Sequence, residues 1–219
     1  MPLLPASDEG VVLLNPYPVS GHDKNMKNMK NDGRAVFLDR DGTINEQMGY
    51  INHLSRFHLL PGVAEAISRL NRHAIPVFVV TNQSGLARGY FPESLLDEVH
   101  ALMVKELAAA GAHVDGIYIC PHHPEAKEKR FREKCSCRKP GTGLFEQAAM
   151  EHNIDLRRSY VVGDRYSDIK AAAACRAAGI LVLTGYGRGD YEFIGPTLEL
   201  KPDFVAPDLS AAVDWILQQ

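Results

Sequence analysis

The sequence predicts an α/β fold in which a parallel β-sheet is covered by helices on both faces. From Arg34 onward, short runs rich in β-branched residues alternate with longer segments of helical periodicity, a pattern typical of parallel sheets with crossover helices. In addition, Asp39, Thr81 and Asp164 each stand at the end of an apolar run. Sheets of this class bind ligands at the carboxyl ends of their strands, so these side chains predict one shared site.

Six runs are predicted to be strands, because each is short, apolar and bounded by turn residues or by a helix. They are residues 35–39, 76–81, 116–120, 159–164, 179–184 and 203–206. The spacing of apolar residues predicts helices over residues 61–74, 91–110, 143–152, 167–178 and 209–217. Pro61 opens the first helix and Gly111 ends the second, as these residue types commonly do. Residues 185–202 are predicted to be a long loop without a clear role.

The chain is long enough for one well-buried domain and short for two. It has 219 residues, of which 45% are apolar and 23% charged. Residues 1–33 differ in composition, mixing Pro, Gly, Asn and Lys with the near-repeat KNMKNMKN. We expect a disordered tail, or an extension upstream of a true start at Met26 or Met29, in which residues 11–14 could pack on the surface. A single domain is predicted over residues 34–219.

Charge and hydropathy argue against nucleic-acid and membrane partners. The net charge of -3 offers no basic face, and nucleic-acid binding normally needs one. No apolar run reaches the length of about 18 residues that a membrane span requires, and the N-terminus does not resemble a signal peptide. We therefore expect a cytoplasmic protein. Short loops and the lack of an obvious apolar surface patch favour a monomer.

The stretch AVFLDRDGTIN, residues 35–45, is the most informative part of the sequence. Its apolar run ends on two carboxylates, Asp39 and Asp41, which are followed at once by Gly42. An Asp-Gly pair after a strand is by itself a common turn. Paired acids at a strand end also serve to hold a metal, to carry a proton or to attack a substrate. The other polar motifs of the chain decide between these alternatives.

Three later stretches carry suitable polar groups: VVTNQSG (79–85), CRKPG (137–141) and VVGDRYSD (161–168). The first ends an apolar run in hydroxyl and amide groups that suit phosphate oxygens, the second places a lysine before a helix, and the third ends a strand in two further acids. The order and spacing of these groups are far more specific than any one of them.

Together these four motifs resemble those of the haloacid dehalogenase superfamily of phosphatases, over roughly residues 35–183. The resemblance implies a Rossmann-like sheet and hydrolysis of a phosphate monoester through an aspartyl-phosphate intermediate. The short stretch between Asp41 and the first predicted helix leaves no room for a large cap domain. A carboxylate nucleophile and a phosphate dianion repel each other, so a divalent cation and a lysine must offset that repulsion. Mg²⁺ suits such a hard oxygen site.

The resemblance also assigns roles to the acids. Asp39 is expected to attack phosphorus, and Asp41 to protonate the leaving alkoxide and later to deprotonate water. Asp39, Asp164 and the backbone carbonyl of Asp41 are expected to bind Mg²⁺. The two acids of the first motif then need different environments, one ionised at the metal and the other able to carry a proton.

Further residues follow from the same resemblance. Thr81 and Asn82 are expected to bind the transferring phosphoryl group, and Lys139 to balance its charge. Asp168 is expected to orient Lys139 or a metal-bound water, with helix capping as the alternative role.

A second cluster of metal-binding residue types lies between the second and third motifs. Cys120 and His122 are separated by a polar stretch from Cys135 and Cys137, a spacing compatible with a structural Cys₃His zinc site. Zinc would order a loop over residues 120–137 that is too polar to fold by burial. Reduced core cysteines are the alternative, and a disulfide is disfavoured in a reducing compartment. His123 is the rival imidazole, and His122 is preferred by resemblance.

The substrate follows from three stretches: DRDGTINEQMGYI (39–51), VTNQSGLARGYF (80–91) and CPHHP (120–124). They resemble the zinc-loop phosphatases that remove the 7-phosphate of D-glycero-D-manno-heptose 1,7-bisphosphate in carbohydrate metabolism, in making lipopolysaccharide or related heptoses. The alternative is the histidinol-phosphate phosphatase group, which usually has a shorter metal loop. Arg165 favours that alternative, because heptose enzymes often carry Lys there.

By the same resemblance, Gln83 and Arg138 contact the substrate, and Arg138 suits bidentate pairing with a distal phosphate. Arg165 supplies a further cation for phosphate binding. Two other classes remain as alternatives. A phosphatase acting on nucleic-acid ends is disfavoured by the acidic balance. A non-catalytic zinc scaffold would require the loss of a catalytic group, yet all of them are present.

Overall fold

The computed structural model describes residues 11–13 and 33–219 and has the predicted α/β architecture. Its strands are β1 (Val11–Leu13), β2 (Val36–Leu38), β3 (Val77–Asn82), β4 (Gly116–Cys120), β5 (Tyr160–Gly163), β6 (Ala178–Val182) and β7 (Phe204–Ala206). They form a seven-stranded sheet in the order β1, β4, β3, β2, β5, β6, β7. Strands β2 to β7 pair in parallel, and β1 pairs antiparallel to β4. All six predicted strands are present, with most ends shifted by one or two residues.

The helices lie between the strands, as the alternation predicted. They are α1 (Val63–Arg72), α2 (Ser84–Ala87), α3 (Glu93–Ala109), α4 (Gly143–His152), α5 (Tyr166–Cys175), α6 (Gly187–Gly189) and α7 (Leu209–Ile216). In the part of the chain that the structure describes, these elements include no separate cap domain. No helix among the described residues has the length and apolar character needed to cross a membrane.

Helices cover the sheet on both faces, and alternate residues of β2 show this directly. Val36 and Leu38 belong to a core cluster that includes residues of α1, α3 and α7. Phe37 belongs to a second cluster with residues of α4 and α5, and its ring centroid lies 5.3 Å from that of Phe145. All three β2 residues are fully buried. Burial on both faces explains why the strands have continuous apolar sequences.

Two predictions about helices were wrong. The predicted helix over residues 167–178 ends at Cys175, because Arg176 adopts a left-handed conformation with φ 60° and β6 begins at Ala178. The predicted loop over residues 185–202 is largely helical: α6 continues into a π-helical turn over Asp190–Ile194 and a 3₁₀ turn over Gly195–Thr197. Its glycines and proline concealed this helical run in the sequence.

Part of the N-terminal segment belongs to the sheet. Strand β1 pairs with β4 in the register Val11 with Ile119 and Leu13 with Ile117. This short edge strand goes beyond the expectation that residues 11–14 merely pack on the surface. The prediction of a disordered tail or extension over residues 1–33 otherwise falls almost entirely outside the described residues.

Candidate active site and metal centres

Polar residues converge at the carboxyl edge of the sheet. Asp39 follows β2, Thr81 is the penultimate residue of β3 and Asp164 follows β5, and these three strands are neighbours. Their side chains line one cavity. The cavity also includes every other residue predicted to bind Mg²⁺, phosphate or substrate: Asp41, Asn82, Gln83, Arg138, Lys139 and Arg165. The sequence motifs are therefore brought together by the strand order.

Two acids that line this cavity, Asp39 and Asp164, form a carboxylate cluster with Asp168, which is fully buried. Asp39, Asp164 and Asp168 each offer an oxygen atom, and these atoms all lie within 4.8 Å of one another. Burial raises the pKa of Asp39 to about 6, against the opposing charge of Lys139. Burial, with the charge of Asp39, raises the pKa of Asp164 to about 8. Such clustered carboxylates are stabilised by a cation.

The donor set fits Mg²⁺, which prefers hard oxygen ligands. In the described part of the chain, Oδ1 of Asp164 is buried without a hydrogen-bond partner, while Oδ2 accepts a hydrogen bond of 2.8 Å from the Tyr186 N–H. Gly42 and Gly185 both have positive φ, and a Cβ atom at either would overlap the Asp164 carboxylate. Two loops can therefore pack directly against this acid only because both positions are glycine.

Lys139 lies beside the carboxylates as a buried cation. Its Nζ is 2.9 Å from Oδ1 of Asp39 and 2.6 Å from Oδ1 of Asp168, and it donates a 2.8 Å hydrogen bond to the Val80 carbonyl. Burial alone would lower the pKa of Lys139, but Asp168 and Asp39 raise it, so the amine stays charged. Oδ2 of Asp168 accepts the Arg165 N–H at 3.1 Å. Asp168 thus orients the lysine and also caps α5.

Asn82 makes a contact that the sequence did not predict. Its Oδ1 accepts the backbone N–H of Lys139 at 3.1 Å, and its Nδ2 donates to the Lys139 carbonyl at 3.2 Å. The Asn82 side chain therefore holds the backbone of the lysine. Oγ1 of the neighbouring Thr81 accepts a 2.9 Å hydrogen bond from Nε2 of Gln83.

Asp41 has an environment different from that of Asp39. Nη2 of Arg40 donates to both Asp41 oxygens at 3.0 and 2.8 Å, and Asn45 and Gln83 donate to one oxygen each at 3.0 and 2.8 Å. Burial alone would raise the pKa of Asp41, but Arg40 and these hydrogen bonds lower it. Three side chains thus hold the expected proton donor ionised.

The side chain of Arg40 also contacts a histidine of α3. It is buried and turns away from the cavity, so that its Nη1 lies 3.1 Å from Nε2 of His100 on α3. Burial, together with the Arg40 charge, lowers the pKa of His100 to about 3, so the neutral imidazole accepts the hydrogen bond. Sequence reasoning missed both residues. The arginine between two motif acids was the available signal, whereas a lone histidine in an amphipathic helix gives none.

The four zinc-ligand candidates also come together, at the end of β4 and in the following loop. Sγ of Cys137 lies 3.0 Å from Sγ of Cys120 and 3.1 Å from Sγ of Cys135, and His122 Nδ1 lies 3.2 Å from Cys137 Sγ. The four donor atoms lie within 4.8 Å of one another. Three thiols and one imidazole fit Zn²⁺, whose structural sites use four such ligands.

The two adjacent histidines differ in orientation. Nδ1 of His122 faces the sulfurs, and its Nε2 lies 3.4 Å from Oε1 of Glu133, the kind of contact that orients a metal-binding imidazole. His123 instead lies against Arg88 at 3.0 Å and accepts the Glu125 N–H at 3.1 Å. Of the two, only His122 lies in the cluster of four donors.

The Cys/His cluster is joined to the cavity through the next residues of the chain. Cys137 precedes Arg138 and Lys139, and Nη1 of Arg138 donates to the His122 carbonyl at 3.3 Å. The geometry of the cluster therefore fixes two cations that line the cavity.

Comparison with known proteins agrees with this geometry. A family profile described as "HAD-hyrolase-like" matches residues 136–212. The D-glycero-beta-D-manno-heptose-1,7-bisphosphate 7-phosphatase of Escherichia coli O6:H1 is 40% identical over 84% of this chain and 88% of its own length. The D-glycero-D-manno-heptose-1,7-bisphosphate 7-phosphatase of Thermosynechococcus vestitus is 43% identical over 83% of this chain and 94% of its own length.

A solved structure supports the same relationship. The D,D-heptose 1,7-bisphosphate phosphatase of B. bronchiseptica, complexed with magnesium and phosphate, superimposes with a TM-score of 0.76 at 36% identity, covering 84% of this chain and 98% of that one. These similarities extend over more than four fifths of the chain. The chain belongs to the D-glycero-D-manno-heptose 1,7-bisphosphate 7-phosphatase family and is a phosphoric monoester hydrolase of the haloacid dehalogenase superfamily.

Proposed function

We propose that this chain removes the 7-phosphate of D-glycero-D-manno-heptose 1,7-bisphosphate through an aspartyl-phosphate intermediate. The observation that carries the proposal is the meeting of Asp39, Lys139 and Asp164 in one cavity, in a chain that closely resembles phosphatases named for this substrate. This resemblance favours the heptose substrate over histidinol phosphate, despite Arg165.

Asp39 is the proposed nucleophile. Its carboxylate attacks phosphorus, so that the aspartyl oxygen–phosphorus bond forms while the bond from phosphorus to the sugar oxygen breaks. Lys139 offsets negative charge beside Asp39, and Thr81 and Asn82 complete the phosphoryl-binding site. Mg²⁺, which Asp39, Asp164 and the Asp41 backbone carbonyl would hold, supplies the remaining charge compensation when bound.

Asp41 is the proposed general acid and base. It gives a proton to the departing sugar oxygen and later takes one from the water that hydrolyses the aspartyl phosphate. Its hydrogen bonds from Arg40, Asn45 and Gln83 support a fixed orientation. Because these donors also keep it ionised, its proton must arrive with or after the substrate, whose dianionic phosphate raises the pKa of a nearby carboxyl group.

We also propose that Cys120, His122, Cys135 and Cys137 hold a structural Zn²⁺. Three thiolates and a histidine leave no open position for a substrate, as is typical of structural zinc. The metal would order the loop over residues 120–137 and thereby position Arg138 for the distal phosphate.

A phosphate-release assay tests the proposed substrate. The panel contains both anomers of D-glycero-D-manno-heptose 1,7-bisphosphate, fructose 1,6-bisphosphate and histidinol phosphate, each with MgCl₂. We expect the highest kcat/KM with one anomer of the heptose bisphosphate, and release of the 7-phosphate alone. Preference for histidinol phosphate would contradict the proposal and show that Arg165 is the better guide to the substrate.

A further inference from the structure

The helical run over residues 187–197, here called the rim helix, has no part in the proposed chemistry. It nevertheless begins at the cavity. Tyr186, the residue before it, lines the cavity with Arg165 and Ser167, and its backbone N–H bonds Asp164. The run is therefore attached directly to a residue proposed to bind Mg²⁺.

Asp190 fastens the rim helix to the start of α5. It is buried, and its Oδ2 accepts two hydrogen bonds, from Nε of Arg165 at 3.2 Å and from the backbone N–H of Tyr166 at 3.0 Å. The rim helix also packs closely on Tyr166, because a Cβ atom at Gly195 would overlap its hydroxyl group. One carboxylate oxygen thus fixes the Nε side of the Arg165 guanidinium.

The ring of Tyr186 contacts the face of the same guanidinium. The central carbon of the Arg165 guanidinium lies 4.7 Å from the ring centroid, within the range of a cation–π interaction. Among the described residues, Asp190 is the only one whose side chain bonds this group, and it does so through Nε. The two terminal amino groups remain on a half-exposed side chain that lines the cavity.

Paired terminal amino groups in a fixed plane suit a phosphate group, which they bind in bidentate fashion. We propose that Asp190 and Tyr186 are positioning residues, which hold Arg165 so that its terminal amino groups face the cavity and favour substrates with a second phosphate. This inference rests on the proposed function, since it adds Arg165 to Arg138 as a residue that recognises the 1-phosphate in the same site.

The test compares two substrates that differ only in that phosphate, D-glycero-D-manno-heptose 1,7-bisphosphate and the corresponding 7-phosphate. The measured quantity is the kcat/KM for the bisphosphate divided by the kcat/KM for the 7-phosphate. Asp190→Ala is expected to lower this ratio about ten-fold by raising KM for the bisphosphate. Without Asp190, the Arg165 guanidinium is no longer fixed and loses its charge-assisted contact with the 1-phosphate. Asp190→Asn keeps an acceptor oxygen and should retain most of the ratio. Glu192→Gln, on the exposed side of the rim helix, is the matched control and should change nothing.

Tyr186→Ala provides a second variant. The Tyr186 side chain is half exposed, so its removal should not impair folding. It is expected to lower the ratio about three-fold, as befits an exposed cation–π contact, whereas Tyr186→Phe should not. Folding of each variant is checked by its Tm.

The outcomes separate this inference from the proposed function. Folded Asp190→Ala and Tyr186→Ala proteins with an unchanged ratio would overturn the inference, as would equal losses with both substrates. Equal kcat/KM values in the unsubstituted enzyme would also overturn it and leave the proposed function standing. An unsubstituted enzyme that is inactive on the bisphosphate would instead refute the proposed function.

Discussion

The carboxylate cluster (Asp39, Asp164 and Asp168) and the Cys/His cluster both lie at the carboxyl edge of the sheet, yet they differ in donor chemistry and access. Asp39 and Asp164 line an open cavity and provide hard oxygen atoms. Cys120 and Cys137 are buried, and the cluster of soft sulfur atoms does not line that cavity. An accessible site with unsatisfied oxygens suits catalysis, and a closed site with four ligands suits structure. The difference indicates a division of labour that mutations can break selectively.

The largest effect is expected from Asp39→Asn. This change removes the proposed nucleophile and should lower kcat by about 10⁴-fold or more. Folding should persist, since the substitution removes one of three clustered carboxylates. Phosphate release measures the loss, and Asp97→Asn on the exposed side of α3 is the control. A folded Asp39→Asn enzyme with substantial turnover would show that another group attacks phosphorus.

Cys137→Ser should act mainly on stability. Loss of one proposed zinc ligand is expected to cost about 4 kcal/mol, which corresponds to a fall in Tm of roughly 8 to 16 °C for a chain of this size. Zinc content, measured by atomic absorption, should fall with it. Cys175→Ser changes a cysteine outside the cluster and should alter neither quantity. Unchanged zinc content in Cys137→Ser would argue against the assigned ligand set.

Asn82→Ala tests the contact between the end of β3 and the backbone of Lys139. Losing both hydrogen bonds to the Lys139 backbone should cost about 2 kcal/mol and lower kcat/KM about ten-fold, because the lysine is no longer fixed. Asn71→Ala is a matched control, since Oδ1 of Asn71 accepts the backbone N–H of His113 at 2.9 Å and its Nδ2 donates to the His113 carbonyl at 3.2 Å. The control should lose similar stability with no change in kcat/KM. Equal kinetic effects in both variants would contradict the positioning role of Asn82.

The smallest effect concerns pH and Mg²⁺. The pKa values of Asp39 and Asp164 in the folded chain, about 6 and about 8, exceed the ordinary value of 3.8. Between about pH 4 and about pH 8, the folded state therefore binds more protons at these two groups than the unfolded state does. Their contribution to the free energy of unfolding accordingly falls as the pH rises through this range. Mg²⁺ replaces those protons and should raise Tm more at about pH 8 than at about pH 5.5. Equal shifts in thermal unfolding scans at both pH values would contradict this.

The sequence predicted the α/β fold and predicted that the motif residues lie at one edge of the sheet, because the carboxyl ends of parallel strands meet there. It did not predict the Asn82 contact with Lys139 or the contact of Arg40 with His100, since these residues are 57 and 60 positions apart and their pairing depends on the tertiary structure. The rim helix was missed because Gly and Pro are poor helix formers, and tertiary contacts such as those of Asp190 override propensity. The monomeric state and cytoplasmic location stay predictions.

The most direct test of the division of labour is a titration of MgCl₂ into the enzyme with D-glycero-D-manno-heptose 1,7-bisphosphate, in which phosphate release and bound zinc are measured in the same samples. We predict that activity rises from background with Mg²⁺, saturates, and returns to background when Mg²⁺ is withdrawn, while stoichiometric zinc stays bound throughout. Activity that is independent of Mg²⁺ and follows the zinc content would contradict the assignment of catalysis to the carboxylate cluster.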